Sequence, residues 1–314
     1  MPEASERADP APAGPRLVIG IDAGGTKTVG LLADESGRVL AQARGGGANP
    51  HVHGEIQVEA VLRSLLGELG EIGRAQALCL GMAGVDRAHD EEVVRAILAR
   101  LGYRERVRIA NDALIALVAG SPGRTGIVIL SGTGSIAYGI DEMGTVARAG
   151  GFGSLLGDEG SGYWLGNHAL RAVVRASDGR GPATRLTGMI FEALAVASVD
   201  ELVPLVYEQH LPRSAVAGLA GRVERARVLG DAVASELLNR AAHELVLAGQ
   251  AVSSKLRFAS PHAVVLAGGV FQACPSLGRL VTDRLALPLA RPRVLDREPA
   301  HGAVAMALDL LVSA

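Results

Sequence analysis

The amino-acid sequence predicts an α/β protein built from two copies of one core, with a helical insertion in the second copy. Two observations predict this fold class. Strand patterns alternate with helix patterns, and an opening set of three strands occurs twice, the second time followed by a long Ala- and Leu-rich helical stretch. Alternating strands and helices indicate a largely parallel sheet covered by helices. The three strands that open each copy add an antiparallel start.

The first copy opens with strand patterns separated by turns of Gly and Asp, at residues 16–21, 28–33 and 38–43. An amphipathic helix follows, because apolar residues recur at three- and four-residue steps from Ile56 to Leu69. The remaining elements are a strand at 75–80, a helix at about 89–101, a strand at 107–110 and a helix that begins after Asn111 and Asp112. We expect residues 16–118 to form the first domain.

The second copy repeats this order of elements. Its opening strands are predicted at residues 126–130, 136–140 and 145–149. A helical region at about 161–258, a strand at 263–267 and a closing helix at 300–312 follow. We expect a second domain over 119–299, with the last helix, at about 300–314, packed back on the first domain. Residues 1–15, which are rich in Ala, Pro and acidic residues, are expected to be a disordered tail.

Composition excludes several classes of function. The net charge of −2 over 314 residues gives no reason to expect a nucleic acid or an anionic membrane as partner. No apolar run approaches the ~18 residues that span a bilayer, and the N-terminus lacks the apolar region of a signal peptide. Cys79 and Cys274 lie far apart and form no ligand cluster. These features predict a cytoplasmic protein with reduced thiols.

The first stretch that carries chemistry is Gly20-Ile-Asp-Ala-Gly-Gly-Thr-Lys-Thr28, called here the first glycine turn. Glycines let backbone N–H groups approach phosphate oxygens closely, and Thr26 and Lys27 add a hydroxyl and a positive charge. Asp22, at the end of a strand, could hold Mg²⁺ through water. The spacing is neither that of a Walker A loop nor that of a dinucleotide fingerprint. Alone, this stretch is equally typical of an ordinary hairpin.

Two further glycine-rich turns strengthen the phosphate hypothesis. The second glycine turn, Leu130-Ser-Gly-Thr-Gly-Ser135, lies at the corresponding point of the second copy. Two such turns in a duplicated core are predicted to face each other across a cleft and to hold phosphates from both sides. A third, Val265-Leu-Ala-Gly-Gly-Val270, follows a late strand and suits packing against a flat base.

Taken in order, the stretches IDAGGTKT, ANDA, LSGTGS, GGFGSLLGDEGSGYWLG and LAGGV resemble the N-acetylglucosamine kinase / BadF-type ATPase family. That family belongs to the sugar kinase, actin and heat-shock ATPase superfamily. The resemblance runs from about Leu17 to the C-terminus. It implies two ribonuclease-H-like (actin-like ATPase) domains that close on ATP, Mg²⁺ and a small amino sugar, in a homodimer.

The resemblance also implies roles for particular residues. Asp112, in Ala110-Asn-Asp-Ala113, would be the catalytic base that accepts the proton of the sugar 6-hydroxyl. As a residue at the start of a helix, it is also typical of a helix cap. The implied nucleotide contacts are Asp22, Gly24, Gly25, Thr26, Lys27, Ser131, Gly132, Thr133, Gly134, Ser135, Ala217, Gly268 and Gly269. The implied sugar contacts are Asn49, Asp112, Gly151, Phe152, Gly153 and Asp158.

The stretch at residues 150–164, called here the long glycine loop, holds six glycines and one acidic pair, Asp158 and Glu159. A flexible linker is disfavoured because its Leu-Leu pair and terminal Tyr-Trp should pack. A third phosphate loop is disfavoured because two carboxylates would repel a triphosphate. The remaining hypothesis, with the resemblance, is the sugar side of the cleft. Backbone would lie close to the ring there, and Asp158 would accept hydrogen bonds from adjacent hydroxyls.

Two departures from the animal kinases leave the substrate open. Pro50 and His51 replace a bulkier pair, and Ala149 replaces a cysteine. Both touch the part of the site that reads the sugar's 2-substituent, so N-acetylglucosamine, glucosamine and N-acetylmuramic acid all remain possible. The alternative function within the resemblance is an activase ATPase that drives electrons into a partner enzyme. Such proteins ligate an iron–sulfur cluster through cysteines at a dimer interface, which two separated cysteines disfavour.

Overall fold

The computed structural model describes residues 16–70, 74–85, 88–104, 106–121 and 123–312. The predicted tail at 1–15 lies outside the described residues, as do the last two residues of the predicted closing helix. None of the helices among the described residues is long and apolar enough to cross a membrane.

The first sheet has the strand order β3-β2-β1-β4-β5. Its first three strands pair antiparallel, whereas β4 and β5 join in parallel. The elements are β1 (Leu17–Ala23), β2 (Lys27–Asp34), β3 (Val39–Gly46), α1 (Pro50–Glu68), β4 (Ala77–Met82), α2 (Ala88–Arg100), β5 (Val107–Asn111) and α3 (Asp112–Gly120).

The second sheet repeats this arrangement, with the order β10-β9-β6-β7-β8. The strands are β6 (Gly126–Ser131), β7 (Ser135–Ile140), β8 (Val146–Gly150), β9 (His262–Ala267) and β10 (Ala290–Val294). The inserted helices are α4 (Gly162–Ser177), α5 (Leu186–Leu194), α6 (Val199–Tyr207), α7 (Arg213–Gly218), α8 (Ala220–Val228) and α9 (Ala232–Ser253). The last helices are α10 (Gly269–Ala273), α11 (Pro275–Arg284) and α12 (Ala300–Val312). The predicted α/β class with a duplicated core and a helical insertion is confirmed.

Helices α10 and α11 were not predicted from the sequence, and three further differences have local reasons. Strand β10 is missed because its sequence, Ala-Arg-Pro-Arg-Val, carries two charges and a proline, which suit only an edge strand. Helix α1 begins earlier than its apolar periodicity, because Asn49 caps it and a non-helical Gly54 (φ 74°) interrupts its first turns. Strand β1 runs to Ala23, which places Asp22 inside the strand.

The two faces of the first sheet are covered by different helices. Ile19 and Ile21 pack with α1 and α2 on one face, whereas Val18 packs with α3 and α12 on the other, as the alternation of strand side chains requires. Helix α12 thus lies on the first sheet although it follows the second in sequence. We propose that the domains span 16–118 and 119–299.

Close packing of α12 depends on Gly302. A Cβ at this position would lie inside van der Waals contact of the Ile115 carbonyl oxygen and 2.7 Å from the Ala119 nitrogen, both backbone atoms of α3. We expect Gly302→Ala to lower the free energy of unfolding by about 1–3 kcal/mol, because backbone cannot yield as a side chain does. Urea denaturation of the wild type and the variant measures this change in the free energy of unfolding.

Gly67→Ala in α1 is the matched control for this substitution. Nothing lies within 4 Å of a Cβ at Gly67, so alanine should stabilise the protein by about 0.5–1 kcal/mol through helix propensity. Equal effects of the two substitutions would contradict the packing explanation.

Candidate functional site

The two glycine turns come from different sheets and meet directly. In the first glycine turn, the Gly24 N–H donates to the Lys27 carbonyl at 2.9 Å, which closes a tight hairpin between β1 and β2. In the second, the Gly132 N–H donates to the Gly134 carbonyl, also at 2.9 Å. The hydroxyl oxygens of Thr26 and Thr133 lie 2.7 Å apart. The turns therefore form opposite sides of a single site.

The second glycine turn is held at the N-terminus of α4. The Gly162 N–H donates to the Gly132 carbonyl at 2.8 Å, and the Tyr163 N–H to the Thr133 carbonyl at 3.3 Å. A Cβ at Gly162 would lie 3.1 Å from the carbonyl oxygens of both Gly132 and Ala217. Ala217 in α7 therefore lies beside this turn.

The segment after β9 reaches the same turn from another direction. Gly268 has a φ of 104°, and a Cβ there would overlap the Ser131 carbonyl oxygen. Glycine is needed at this position for both reasons. Gly269 then begins α10. The structure thus brings residues 131–135, Ala217 and Gly268 into one cluster, although they are far apart in sequence.

Two carboxylates lie together beside the first glycine turn. Asp22 is the second-last residue of β1, and the pKa of its carboxyl is raised from 3.8 to about 7. Burial is the main cause and the negative charge of Asp112 is the second, whereas Lys27 lowers the pKa and Glu298 raises it. No described residue donates a hydrogen bond to Asp22. A carboxylate close to other carboxylates, here Asp112 and Glu298, is suited to bind a cation, because the positive charge relieves their repulsion.

The helix-capping role at α3 belongs mainly to Asn111. Its side chain accepts the Ala113 N–H at 2.8 Å from an extended backbone conformation, which is the geometry of an N-cap. Asp112 is the first helical residue, and one of its oxygens also lies 2.9 Å from the Ala113 nitrogen. Because Asn111 already supplies a cap, capping alone does not account for a carboxylate at 112.

Lys27 of the first glycine turn is held by a residue that the sequence analysis missed. Its ammonium lies 3.0 Å from one oxygen of Glu298, and the Arg44 guanidinium lies 2.8 Å from the other. Although burial opposes it, hydrogen bonds from Lys27 and Arg44 hold the pKa of Glu298 below its usual range. Glu298 precedes Pro299 at the start of α12, a pattern typical of any helix start, so nothing in the sequence indicated its place at the cleft.

Asn49 lies at the N-terminus of α1, next to the first glycine turn. Its side-chain oxygen accepts the His51 N–H at 2.9 Å, and the preceding Ala48 N–H donates to the Gly24 carbonyl at 3.0 Å. The His51 ring lies 3.0 Å from the Gly84 carbonyl oxygen and 3.3 Å from Asp90. The structure thus ties this loop to the first glycine turn as well as to the loop after β4.

The first half of the long glycine loop is open to solvent. Phe152 is 62% exposed, and the Arg148 guanidinium lies over its ring at 5.1 Å. Leu155 and Leu156 are 93% and 78% exposed. The expectation that this leucine pair packs is therefore wrong. Gly150, Gly151 and Gly153 all have positive φ, and these turns direct the pair away from the core.

The second half of the loop is packed against the second glycine turn. Asp158 is 4% exposed, and its carboxylate accepts the Ser135 N–H at 3.2 Å and an Arg213 N–H at 3.0 Å. Tyr163 and Trp164, in the first turn of α4, pack against the core of the second sheet. Charge repulsion predicts a place for Asp158 away from the phosphate turns, whereas its side chain lies directly against the second glycine turn.

Neither cysteine offers a ligand at the surface. Cys79 in β4 and Cys274 before α11 are both fully buried, and burial raises the pKa of each thiol to about 12. Within the described ranges, no group of three or more His, Cys, Asp or Glu side chains could hold a metal ion. Mg²⁺ does not need such a cage, because it is usually held by one or two carboxylates with water and phosphates. Asp22 fits that role.

Comparison with known proteins gives a consistent result. Residues 19–307 match the model of the BadF/BadG/BcrA/BcrD ATPase family. The chain is 38% identical to an N-acetylmuramic acid/N-acetylglucosamine kinase of Clostridium acetobutylicum, over 74% of this chain and 78% of that protein. It is 35% identical to an N-acetyl-D-glucosamine kinase of Dictyostelium discoideum, over 73% of this chain and 76% of the relative.

Solved structures share the fold over nearly the whole length. A candidate N-acetylglucosamine kinase from Chromobacterium violaceum superposes with a TM-score of 0.76 and 26% identity, covering 93% of this chain and 99% of that one. A ROK family glucokinase from Streptomyces griseus, solved with glucose and AMPPNP, gives a TM-score of 0.59 at 22% identity, covering 94% of this chain and 98% of that one. The second likeness shows the fold alone.

Proposed function

Because the chain belongs to the BadF/BadG/BcrA/BcrD ATPase family, we propose that it is an ATP-dependent amino-sugar kinase that phosphorylates the 6-hydroxyl of N-acetylglucosamine or a close relative. The observation that carries the proposal is the pair Asp22 and Asp112, held together beside two glycine turns that meet at Thr26 and Thr133. The names of the relatives, kinases of N-acetylmuramic acid and N-acetylglucosamine, support this substrate class.

Asp112 is proposed as the catalytic base. It is the first residue of α3, where Asn111 supplies the N-cap bond, and its negative charge acts on the neighbouring Asp22. It would accept the proton of the sugar 6-hydroxyl as the oxygen attacks the γ-phosphorus of ATP, while the bond from that phosphorus to the β–γ bridging oxygen breaks and ADP leaves. A positioned base is worth about 10²–10⁴-fold in rate. The remaining acceleration would come from alignment of the two substrates, as is general for phosphoryl transfer.

The nucleotide is proposed to lie between the glycine turns. Gly24, Gly25, Thr26 and Lys27 would contact its phosphates from one side, and residues 131–135 from the other. Ala217, Gly268 and Gly269 would line the nucleoside end. Asp22 would hold Mg²⁺ through water, and the ion when bound neutralises charge on the phosphates. Its pKa, raised to about 7 by burial and by Asp112, would fall next to a divalent cation.

The sugar is proposed to contact Asn49, residues Gly151, Phe152 and Gly153, and Asp158. Asp158 already accepts two hydrogen bonds, but a carboxylate has about four acceptor positions. Sugar hydroxyls would therefore bind at acceptor positions that these two bonds leave, on a side chain that is 4% exposed. His51, which follows Asn49 by two residues and donates its N–H to the Asn49 side chain, is proposed to help distinguish the 2-substituents of N-acetylglucosamine, glucosamine and N-acetylmuramic acid.

The activase alternative gains no support from the cysteines. An iron–sulfur cluster needs thiolates, whereas both thiols are buried with strongly raised pKa values.

From the family resemblance we further propose a cytoplasmic homodimer, and light scattering after size-exclusion chromatography would measure the oligomeric state.

A coupled ADP-release assay tests the proposed function. Purified protein with Mg²⁺ and ATP is assayed with N-acetylglucosamine, glucosamine, N-acetylmuramic acid and glucose, each against a sample without sugar. We expect an amino sugar to raise ADP release by at least about 10²-fold, because a kinase site limits hydrolysis by water. Mass spectrometry should find a sugar 6-phosphate. Equal ADP release with and without every sugar would reject the kinase in favour of an ATPase.

A further inference from the structure

The buried carboxylate of Asp158 connects two loops that are expected to serve different substrates. One of its oxygens accepts the N–H of Ser135, the last residue of the second glycine turn, at 3.2 Å. A Cβ at Gly134 would lie 2.8 Å from the same oxygen, so the carboxylate packs directly on the turn. Two further hydrogen bonds join these segments, from Ser135 Oγ to the Glu159 carbonyl (2.7 Å) and from Ser131 Oγ to the Gly160 carbonyl (2.9 Å).

Arg213, from a third segment of the chain, also binds the carboxylate of Asp158. It is the first residue of α7, and its Nη2 donates to the other oxygen of Asp158 at 3.0 Å. Its guanidinium also lies over the Tyr163 ring at 5.2 Å, which limits where it can go. One turn further along α7, Ala217 lies against Gly162 beside the second glycine turn. Helix α7 therefore contacts the nucleotide side at one end and Asp158 at the other.

The backbone of Asp158 itself is held in an unusual conformation. Its φ is 64°, in the left-handed region that non-glycine residues seldom adopt. Such a conformation persists only where its surroundings determine it. Here the surroundings are the bonds to Ser135 and Arg213. If either segment moves, the direction of the carboxylate changes with it.

We propose that Arg213 is a positioning residue that couples the binding of the two substrates, because it fixes the carboxylate of Asp158 between the sugar and the second glycine turn. This inference rests on the proposed function. Phosphates bound at the second glycine turn would immobilise Ser135 and, through it, Asp158. The sugar would then bind to a carboxylate that is already oriented, and by reciprocity the sugar would strengthen nucleotide binding by the same factor.

Arg213 also influences whether Asp158 is ionised. Burial raises the pKa of Asp158, and the Ser135 N–H and Arg213 oppose that rise, while the neighbouring Glu159 adds to it. Arg213 and Glu159 are the charged groups that act on this carboxylate. Without Arg213, the pKa of Asp158 would therefore be higher still. If sugar binding needs an ionised Asp158, then binding would begin to weaken at a higher pH as the solution is acidified.

Calorimetry measures the coupling. The dissociation constant of the best sugar is determined with and without Mg²⁺ and AMPPNP, in the wild type and in Arg213→Gln, Arg213→Lys and Arg225→Gln. We expect at least about fivefold tighter sugar binding with nucleotide in the wild type, and less than about twofold in Arg213→Gln. Arg213→Lys should recover part of the coupling, since lysine keeps the charge but not the planar fork. Arg225, an exposed arginine of α8, is the matched control and should leave the coupling intact.

The pH profile separates positioning from a merely structural effect. The acid limb of kcat/KM for the sugar should move to higher pH in Arg213→Gln and return towards the wild-type position in Arg213→Lys. In Asp158→Asn, a further Arg213→Gln substitution should change neither coupling nor profile. Unchanged coupling in a folded Arg213→Gln protein would overturn the inference while wild-type kinase activity still stood. If the wild type neither binds nor phosphorylates a sugar, the proposed function fails and the inference fails with it.

Discussion

Replacement of Asp112 by Asn is expected to lower kcat for sugar phosphorylation by about 10²–10⁴-fold, which is the contribution of a positioned general base. The amide has nearly the shape of the carboxylate but cannot take a proton at the working pH. Because Asn111 already caps α3, the substitution should not destabilise the helix. Steady-state kinetics with the best sugar give the rate, and calorimetry with AMPPNP should show nucleotide affinity close to that of the wild type.

Asn111→Ala is the matched control for a capping effect. It should lower the free energy of unfolding by about 1 kcal/mol, the usual value of an N-cap, and leave kcat within a few-fold of the wild type. If Asp112→Asn instead kept more than about a tenth of the wild-type rate, the loss of rate would be too small for the removal of a general base. A loss of stability like that of Asn111→Ala, with little change in rate, would assign Asp112 to the cap.

Replacement of Asp22 by Asn is expected to stabilise the nucleotide-free protein above neutral pH while weakening the binding of MgATP. The pKa of Asp22 is about 7 in the folded protein against an ordinary value of 3.8, because of burial and the nearby Asp112. Between those values the folded state binds more protons than the unfolded state, so stability falls as pH rises from about 4 to 7. Each pKa unit corresponds to about 1.4 kcal/mol. Asn cannot ionise, so the variant should be more stable by ~2–4 kcal/mol at pH 8.

Denaturant unfolding of both proteins at pH 5 and pH 8 measures this difference, which should grow by roughly 2–3 kcal/mol between the two pH values. Asp34→Asn is the control with the opposite sign. Hydrogen bonds from Ser36 and Arg38 lower the pKa of Asp34, so its loss should reduce stability at pH 8. If the Asp22→Asn protein were no more stable than the wild type at pH 8, the raised pKa of Asp22 in the folded protein would be contradicted. Undiminished MgATP affinity would remove Asp22 from the proposed Mg²⁺ site.

A site whose key carboxylate costs stability is typical of enzymes, in which function and stability compete. Burial and then the charge of Asp112 raise the pKa of Asp22, so the two carboxylates repel each other when both are ionised. A bound cation would relieve that repulsion. The same arrangement would therefore favour nucleotide that arrives with its metal over free nucleotide.

The fold class and the existence of the glycine turns could be predicted from the sequence, because both depend on patterns within short segments. Apolar residues alternate in strands and recur every three to four residues in helices, and a backbone that must approach closely requires glycine. The duplicated order of elements followed directly from these local signals. Even the duplication of the turns, which strengthened the phosphate hypothesis, needed no knowledge of packing.

Local patterns failed where solvent exposure depends on distant segments. The exposed Leu155 and Leu156 were expected to pack, because two adjacent leucines usually do. Strand β10 was missed because an edge strand tolerates charges and proline. In each case the outcome depends on whether another part of the chain covers the segment, which no short window of sequence records.

By itself, the sequence determined the α/β class, the repeated core and which residues could carry chemistry. Only the tertiary structure decided which of them meet. Thr26 reaches Thr133, Glu298 binds Lys27, and Arg213 binds Asp158, all across long separations in the chain. The physical reason is that a hydrogen bond depends on positions fixed to a few tenths of an ångström. Those positions are set by how α7 and α12 pack, through glycines such as Gly162 and Gly302 that admit neighbouring backbone.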